Sequence, residues 1–449
     1  MRVLFVIYYF GDEYTGIMYI SSVLKNKGYQ VEIVEAEYAK VKAALNVNIP
    51  TILAYSTPTV LAEHYLKLNN RLKKFFGVFS VFGGPHPTMV PEIIEEDGVD
   101  GICIGEGEYA MLELLENISS GKPITNIQNW WIKENGKIFK NPLRPLIKNL
   151  DDLHFPDRDL FRKQKLFDSE KMHIITGRGC PYNCSYCCHS FYNLLYEGEF
   201  AKIRKRSVKN VIEEIGQFKN KFPLKFVVFD DDIFVLPFEW LKEFSLLYKR
   251  YINLPFFCYL RPDLITPKTV KLLKLSGCHS VSMGLETADD CLRNVILKRN
   301  MSKEQIIDAA RLIKEYKIIL KTSNIIGIPG SLIDKDIETI KLNIKCKVDY
   351  SSVSVLKPYP NTEISALIQN SNHPRLKKNL RYLFALAVEY PFLLNVIKIL
   401  IRLPLNHVYK ICYLLWEGYC AYFRLYPAGR RAFARGIKKY ISMLCFEPL

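Results

Sequence analysis

Short apolar runs alternate with helical patterns along the first part of the chain. The apolar runs cover residues 2–9, 31–35, 51–56, 78–82 and 101–105. Runs of this length predict strands, and the amphipathic segments between them predict helices. Strands that alternate with helices indicate a parallel, doubly wound α/β sheet.

Glycine and hydroxyl residues cluster in the loops that follow these strands. Ligands of a doubly wound sheet bind at the carboxyl ends of its strands, and glycine lets the backbone approach a bulky ligand closely. No G-x-G-x-x-G sequence follows the first strand, which argues against a dinucleotide. A domain that binds a nucleotide or nothing is the alternative. The candidate ligand-binding residues are Gly16, Ser56, Thr57, Gly83, Gly84, Pro85, Gly105, Glu106 and Gly107.

A second series of strands and helices occupies the middle of the chain. Residues 141–168 contain several prolines and little periodicity, which indicates a connector. About six strand and helix units follow over 169–368 and predict a partial (β/α) barrel, whose chemistry lies at the carboxyl ends of the strands. Ser207 and Thr266 are predicted N-caps, and Ser302 with the glutamine three residues later is a predicted capping box.

Polar residues again follow the predicted strands of this barrel. Asp231, with an aspartate on either side, Arg261 and Glu286 follow three of the strands, and Gly327 and Pro329 follow a fourth. Because parallel strands place their carboxyl ends at one edge, we expect these residues to line one site.

Three cysteines follow the first strand of the barrel with the spacing C-x3-C-x2-C, at Cys180, Cys184 and Cys187. Thiolates hold iron–sulfur clusters, and three on a short loop can ligate three irons of a [4Fe-4S] cube and leave the fourth open. Cys188 and His189 could instead complete a zinc site, although Cys188 is expected to point away. Disulfides would need an oxidising compartment, whereas most of the twelve cysteines are scattered singly, which suits a reducing cytoplasm.

Charge and hydropathy bear on partners and location. The net charge of +16 suits nucleic acid, an acidic substrate or an anionic membrane, or it is only a solvated face. No basic and aromatic RNA-binding motif is visible, so no nucleic-acid partner is expected. The N-terminus lacks the features of a signal peptide, which favours a cytoplasmic location.

The last part of the chain, residues 369–449, looks helical and apolar with a denser basic end. No segment reaches the ~20 apolar residues that span a bilayer. The pattern predicts either a helical cap on the barrel or an amphipathic surface in peripheral contact with a membrane. The second alternative suits a lipid-like substrate.

The motif around the cysteines resembles that of the radical S-adenosylmethionine (SAM) superfamily. The spacing of the three cysteines matches, and Tyr186 stands where that superfamily has an aromatic residue. The paired sequences Gly-Gly-Pro-His-Pro (83–87) and Gly-Glu-Gly-Glu (105–108) look like the cobalamin-binding domain that precedes the radical SAM barrel in one large subfamily.

This resemblance implies a division of the chain into four parts. They are a Rossmann-like cobalamin-binding domain at 1–140, a linker at 141–168, a TIM-type partial (β/α)6 radical SAM barrel at 169–368 and a helical C-terminal region at 369–449.

The resemblance also implies roles for individual residues. The three cysteines ligate a [4Fe-4S] cluster whose open iron is chelated by SAM. Tyr186 lies near the adenine, Glu286 bonds the ribose hydroxyls, and Asp231 receives the SAM ammonium or a substrate donor. The remaining implied cofactor-binding residues of the barrel are Arg261, Gly327 and Pro329, the last two through backbone that lines the adenine.

The chain departs from the family patterns at three points. The D-x-H-x-x-G motif of other cobalamin proteins is absent, which implies cobalamin without a protein histidine on cobalt; His86 is expected to shape its loop. Ser331 stands where glutamate is common, and Asn361 where glycine is common.

The implied activity is radical methyl transfer. The cluster and SAM generate a 5′-deoxyadenosyl radical, and cobalamin supplies a methyl group to an unactivated carbon of a small-molecule or lipid-like substrate. The implied reductant is an external flavodoxin- or ferredoxin-type donor. Cobalamin-assisted cyclisation, rearrangement or oxidation is one alternative. A non-catalytic cobalamin and iron–sulfur sensor and a structural zinc protein are the others.

Overall fold

The computed structural model describes residues 1–8, 14–45, 49–162, 168–367, 374–420 and residue 425. The chain divides into two compact units, Met1–Phe167 and Asp168–Leu449.

The first unit contains one seven-stranded sheet. Its strands are β1 (Arg2–Ile7), β2 (Gln30–Glu35), β3 (Thr51–Ser56), β4 (Phe79–Gly83), β5 (Gly101–Cys103), β6 (Trp130–Glu134) and β7 (Lys137–Lys140). Its helices are α1 (Thr15–Asn26), α2 (Tyr38–Leu45), α3 (Ala62–Lys73), α4 (Pro85–Met89), α5 (Glu108–Ser120) and α6 (Asp159–Arg162). The strand order is β2-β1-β3-β4-β5-β6-β7, and β1 to β5 are parallel. The predicted doubly wound α/β fold is confirmed.

The last two strands of this sheet are a feature that the sequence prediction missed. Strand β6 runs antiparallel to β5 and to β7. Asn135 and Gly136 connect β6 to β7 with positive φ angles of 50° and 74°. An Asn-Gly pair between two strands is a strong hairpin signal because both residues tolerate this conformation. The signal was present in the sequence.

Part of the predicted connector packs on the first unit. Leu150 and Leu153 are buried in one cluster with Tyr19 and Val23 of α1. The Ser21 hydroxyl, also on α1, donates a hydrogen bond of 2.6 Å to an Asp157 carboxylate oxygen. This segment therefore belongs to the core and surface of the unit that precedes it.

The second unit is built on a six-stranded, all-parallel sheet. Its strands are β8 (Lys171–Ile174), β11 (Phe226–Phe229), β12 (Phe256–Leu260), β13 (Cys278–Glu286), β14 (Ile319–Ile326) and β15 (Tyr350–Val355), in the order β15-β14-β13-β12-β11-β8. A separate antiparallel pair consists of β9 (Gly177–Arg178) and β10 (Arg204–Lys205). The predicted partial (β/α)6 barrel is confirmed.

Helices alternate with these strands and then continue to the C-terminal region. They are α7 (Cys188–Leu195), α8 (Val208–Lys221), α9 (Phe238–Tyr251), α10 (Pro267–Ser276), α11 (Lys303–Glu315), α12 (Ile333–Lys345), α13 (Pro374–Glu389), α14 (Leu394–Leu400) and α15 (Asn406–Cys420). Ser207, Thr266 and Ser302 accept hydrogen bonds as N-caps, and Gln305 completes the capping box. The predicted helix starts are therefore confirmed.

The described C-terminal helices pack on the edge of the barrel. Leu380 and Phe384 of α13 are fully buried in one cluster with Ile326 of β14 and Val353 of β15. Within the described part of the chain, no helix is long and apolar enough to cross a membrane. The basic end predicted around Arg430 lies outside the described residues.

Candidate functional site

The three cysteines of the motif lie on a loop between β9 and α7. Cys180 and Cys184 are buried, Cys187 is half-buried, and all three are free thiols. The loop begins at Gly179, whose φ is +101° and whose Cβ, if present, would lie 2.6 Å from the Phe200 carbonyl oxygen. Only glycine fits this position, because any side chain would collide with backbone.

A buried asparagine that sequence reasoning missed holds the loop from the side. The Asn193 side-chain amide on α7 donates to the carbonyl oxygens of Cys180 at 3.2 Å and Tyr182 at 3.4 Å. It also donates to the side chain of Asn183 at 2.7 Å. These bonds fix the first turn of the loop.

Arg261, at the end of β12, connects this loop to the barrel. Its guanidinium lies 3.5 Å above the Tyr182 ring and donates through Nη1 to the Cys184 sulfur at 3.5 Å. Nη2 donates to the Arg299 carbonyl oxygen at 2.9 Å, and Nε donates to Asp263 at 3.0 Å. Burial raises the pKa of the Cys184 thiol, while the positive charges of Arg299 and Arg261 oppose the rise. The arginines therefore favour a thiolate in a buried place.

Tyr186 and Glu286 meet through a second buried arginine, Arg299. The Tyr186 hydroxyl donates to Glu286 Oε1 at 3.2 Å. Arg299 Nη1 donates to the Tyr186 oxygen at 2.7 Å and to Glu286 Oε1 at 3.0 Å, and Nη2 donates to the Gly284 carbonyl oxygen. Glu286 has a φ of +64°, a strained conformation for a residue with a side chain. Arg299 was missed because it lies in a loop beyond the strand ends.

The Asp231 carboxylate accepts hydrogen bonds from several protein groups. It accepts them from the Thr176 backbone N–H at 3.1 and 3.2 Å, from the Thr176 hydroxyl at 2.8 Å and from Lys205 Nζ at 3.0 Å. Both side chains of the Lys205–Asp231 ion pair are buried. The structure therefore places Asp231 in a network that anchors Thr176.

The aspartates on either side of Asp231 contact other residues. Asp230 lies 2.8 Å from His173 Nδ1, and Asp232 lies 3.4 Å from His189 Nε2. Cys188 is also close: the ligand atoms of Cys187, Cys188 and His189 all lie within 4.8 Å of one another. The expectation that Cys188 points away from the cysteine loop is therefore wrong. Helix α7 begins at Cys188, and its first turn brings the two side chains beside Cys187.

Gly327 and Pro329 lie in the loop after β14. Ser331, the departure noted above, donates to Asp336 Oδ1 at 2.8 Å. Asp336 is buried, and its Oδ2 accepts no hydrogen bond from the described residues. Lys377 of α13 approaches the loop, since a Cβ on Gly327 would lie 3.3 Å from its Cδ. Asp336 thus supplies a carboxyl group near this loop, five residues after the position at which glutamate is common in the family.

Burial raises the pKa of Asp336 to about 6, although the Ser331 hydroxyl and Lys377 oppose the rise. The carboxyl therefore holds a proton in the folded chain under conditions in which the unfolded chain has lost it.

In the first unit, the loops after β3, β4 and β5 are bonded to one another. The Thr57 N–H donates to the Gly83 carbonyl oxygen at 2.8 Å, and the His86 N–H donates to the Thr57 carbonyl oxygen at 2.9 Å. The Gly105 N–H donates to the Thr88 hydroxyl at 3.1 Å. Three of the four predicted loops therefore form one surface at the carboxyl ends of the strands.

The glycines of this surface differ in whether a side chain would fit at their position. Gly84 has a φ of +91°, and a Cβ there would lie 3.1 Å from the Thr57 nitrogen and 3.5 Å from the Ser56 hydroxyl. A Cβ on Gly107 would lie 3.2 Å from Ile20 of α1, so this loop packs against α1. Gly16 is exposed, with open space where a side chain would be.

The other predicted residues of these loops contribute to the local fold. Pro85 is exposed at the first position of α4. Glu106 accepts a hydrogen bond from the Ile147 N–H at 2.8 Å, which ties its loop to the next segment. His86 is half-buried with Nδ1 3.4 Å from the Thr59 hydroxyl, and burial lowers its pKa. These contacts agree with a loop-shaping role for His86.

The two sites fit the groups that the sequence motifs imply. Three free thiols, of which Cys184 lies beside two buried guanidinium groups, suit an anionic iron–sulfur cluster, because buried positive charge compensates the charge of bound thiolates. The linked loops of the first unit expose backbone at glycines, which suits close approach of a large, flat ligand.

Comparisons with known proteins match each of the two units to a known family model. The family model described as the radical SAM superfamily matches residues 174–343, and the model described as the B12 binding domain matches residues 10–115. An uncharacterized methyltransferase of Pyrococcus horikoshii is 30% identical over 363 residues, which cover 78% of this chain and 77% of the relative. The hopanoid C-3 methylase of Methylococcus capsulatus is 24% identical over 64% of this chain and 54% of its own length.

A solved structure shares the fold. The radical S-adenosylmethionine methyltransferase TsrM from Kitasatospora setae, with tryptophan substrate and a SAM analog bound, has a TM-score of 0.69. The match covers 85% of this chain and 76% of that one at 15% sequence identity, so it shows the fold alone.

We expect the Asp336→Asn substitution to stabilise the protein near neutral pH. The folded pKa of about 6 lies above the ordinary value of 3.8. Stability is therefore lost as pH rises through this window, by at most about 3 kcal/mol in all. Asparagine removes this loss, so its advantage over wild type in urea unfolding should be greater at pH 7.5 than at pH 5. Asp334→Asn, at an exposed position of the same helix, is the control. A variant that is less stable than wild type at pH 7.5 would contradict this.

Proposed function

The chain belongs to the radical SAM enzymes that carry a B12-binding domain, and from this premise we propose that it methylates an unactivated carbon of a small, lipid-like molecule. The observation that carries the proposal is the pairing, in one chain, of a three-thiol loop held by buried arginines with the linked glycine loops of the first unit. When bound, the [4Fe-4S] cluster, SAM and cobalamin supply the reducing electron, the radical source and the methyl group.

In this proposal the residues of the second unit bind and orient. Cys180, Cys184 and Cys187 supply the thiolates. Arg261 and Arg299 compensate their negative charge and exclude water from the loop. Such positive groups and hydrogen bonds near a cluster sulfur set its reduction potential.

Four further residues of the barrel are proposed to hold SAM. Tyr186 and Glu286 form one polar group, because Arg299 contacts both and fixes their orientation. Both hydrogen bonds to Glu286 end on Oε1, so we assign Oε2 to the ribose hydroxyls. Gly327 and Pro329 lie where their backbone can line the adenine. Asp231 acts through Thr176 as a positioning residue.

The loop surface of the first unit is proposed to bind cobalamin. Its residues are Gly16, Ser56, Thr57, Gly83, Gly84, Pro85, Gly105, Glu106 and Gly107. Gly84 is the key position, because its positive φ and its contact with Thr57 both exclude a side chain. Cobalt is proposed to have no histidine ligand from the protein, since the D-x-H-x-x-G motif is absent and Nδ1 of His86 lies against the Thr59 hydroxyl.

The proposal of a lipid-like substrate rests on two observations. One relative is a hopanoid C-3 methylase, which acts on a lipid by its name. The described C-terminal helices of this chain also expose many apolar side chains. An external flavodoxin- or ferredoxin-type protein is the proposed electron donor.

We expect Cys184→Ala to lose the cluster and with it SAM cleavage. Protein reconstituted anaerobically with iron and sulfide, then given hydroxocobalamin, reductant and SAM, is assayed for 5′-deoxyadenosine and S-adenosylhomocysteine. Wild type should yield both products and the variant neither, since one iron loses its thiolate. Cys291→Ala, at an exposed cysteine, is the matched control. Wild-type iron content in Cys184→Ala would contradict the assignment. 5′-Deoxyadenosine alone from wild type would favour radical chemistry without methyl transfer.

We expect Gly84→Ala to weaken cobalamin binding by distorting the loop that it joins to Thr57. Alanine at φ +91° is strained by about 1–2 kcal/mol, and its Cβ presses on the Thr57 nitrogen. Cobalamin retained after gel filtration is measured from its visible absorption. Gly77→Ala, at an exposed glycine with open space around it, should retain cobalamin as wild type does. Full retention by a folded Gly84→Ala would remove this loop from the site.

The C-terminal apolar surface, defined by Phe392, Ile399, Leu403, Val408, Ile411 and Leu415, is proposed to lie on an anionic membrane. All six side chains are exposed. No acidic residue occurs between positions 390 and 416, whereas Lys398, Arg402 and Lys410 do. An apolar face with a basic flank suits insertion at the boundary of anionic headgroups.

We expect the double substitution Ile399→Asp with Leu415→Asp to abolish binding to phosphatidylglycerol vesicles in a flotation assay, because it places charge on the inserted face. Leu246→Asp is the matched control, since Leu246 is 66% exposed, as Ile399 is, but lies on α9. Wild type should prefer phosphatidylglycerol to phosphatidylcholine vesicles. Failure of wild type to bind either, together with a dimer that the double variant disrupts, would show that a second copy covers this surface instead.

A further inference from the structure

The first turn of α7 brings a second set of metal-ligating atoms to the cysteine loop. The sulfurs of Cys187 and Cys188 and a ring nitrogen of His189 all lie within 4.8 Å of one another. Donor atoms around a tetrahedral zinc ion lie about 3.3–3.8 Å apart, given bonds of about 2.0–2.3 Å. Binding of an ion would therefore draw these atoms together by at most about 1.5 Å. A cluster, by contrast, binds each thiolate to a different iron, which keeps the sulfurs further apart.

The histidine ring is oriented as a metal ligand would be. Nε2 lies 3.4 Å from Asp232 Oδ1. Nδ1 is buried and has no hydrogen-bond partner among the described residues. A carboxylate that accepts the proton of one ring nitrogen leaves the lone pair of the other for a metal, and this arrangement recurs in metal sites. The tautomer with the proton on Nε2 is thus the one that Asp232 favours.

The fourth ligand comes from the same loop. The Cys180 thiol interacts with the His189 ring, although Cys180 lies outside the group of three residues whose ligand atoms are all within 4.8 Å of one another. Three thiolates and one neutral imidazole form one of the common structural zinc sets. Binding forms three metal–sulfur bonds and one metal–nitrogen bond, and the three thiols release their protons to solvent.

We propose that Cys180, Cys187, Cys188 and His189 form a site for a single thiophilic divalent cation such as Zn²⁺, which excludes the iron–sulfur cluster because the two share Cys180 and Cys187. The site itself depends only on these residues. Its competition with the cluster rests on the proposed function. Zinc bound here would keep the enzyme inactive until the cation is removed, so cluster assembly would depend on the supply of free zinc.

Each of the two sites has at least one ligand that the other lacks, which makes them separable. Cys184 belongs only to the cluster, whereas Cys188 and His189 belong only to the cation site. The test uses the full-length protein, freed of iron and kept anaerobic. Co²⁺ serves as the probe, because its visible absorption reports tetrahedral thiolate coordination, and Zn²⁺ affinity follows from displacement of Co²⁺.

Wild type and Cys184→Ala should bind one Co²⁺ with the same spectrum, whereas Cys188→Ala and His189→Ala should lose it. Asp232→Asn should weaken binding by roughly 10- to 100-fold, as expected for the partner of a ligating histidine. Cys291→Ala is again the control. Conversely, Cys188→Ala and His189→Ala should still assemble the cluster, and zinc added first should block assembly in wild type but not in these variants.

The outcomes separate the two proposals. Loss of Co²⁺ in Cys184→Ala with retention in Cys188→Ala would show that the cation takes the three-cysteine motif, and it would overturn the second site. Absence of tetrahedral Co²⁺ in wild type would overturn it as well. Failure of wild type to assemble a cluster, with Co²⁺ binding intact, would count against the proposed function alone. If an alanine variant does not fold, Cys188→Ser and His189→Gln replace it.

Discussion

The cysteine loop of the second unit depends on the link between two buried arginines. Arg261 contacts the loop through the Tyr182 ring and the Cys184 sulfur, and it donates to the backbone of Arg299. Arg299 in turn contacts Tyr186 and Glu286. A buried guanidinium is costly unless its donors are satisfied. The carbonyl, carboxylate and hydroxyl groups that accept from the Nη atoms of these two arginines are the ones that shape the site, while Arg299 Nε has no acceptor among the described residues. The charge that suits bound thiolates and the geometry of the loop therefore have a common origin.

The other side of the loop is held by a different buried pair. Lys205 of β10 bonds both Asp231 and the Thr176 hydroxyl, and its ammonium lies 4.1 Å from the centre of the Trp240 ring. Trp240 Nε1 donates to the carbonyl oxygen of Arg206, the residue that follows Lys205. The strand pair β9 and β10 is thereby tied to the barrel just before the first cysteine. Because this short loop is fixed at both ends, its thiols are already ordered. Ligand binding therefore does not cost the entropy of ordering them.

One departure from the family pattern, at Ser331, has a physical explanation. Ser331 replaces a common glutamate, yet Asp336 lies against its hydroxyl and supplies a carboxyl close to the same loop. Lys377 of α13 approaches this loop as well, so a helix of the C-terminal region takes part in the barrel end. The helical C-terminal region therefore does two things: one face completes the core beside β14 and β15, and another remains exposed and apolar.

The sequence by itself determined the features that depend on local patterns. Apolar periodicity was enough for the parallel strands of both sheets, and serine, threonine and glycine at the right offsets were enough for the helix caps. The spacing of three cysteines identified the loop, because a short loop constrains its own geometry. Only the tertiary structure decided which side chains meet across it. Arg299 lies 113 residues from Tyr186, Asp231 is 55 residues from Thr176, and nothing in the local pattern pairs them. The Cys188 and His189 side chains turned toward the loop for the same kind of reason: helix α7 sets their direction, and the position of that helix is a property of the whole fold.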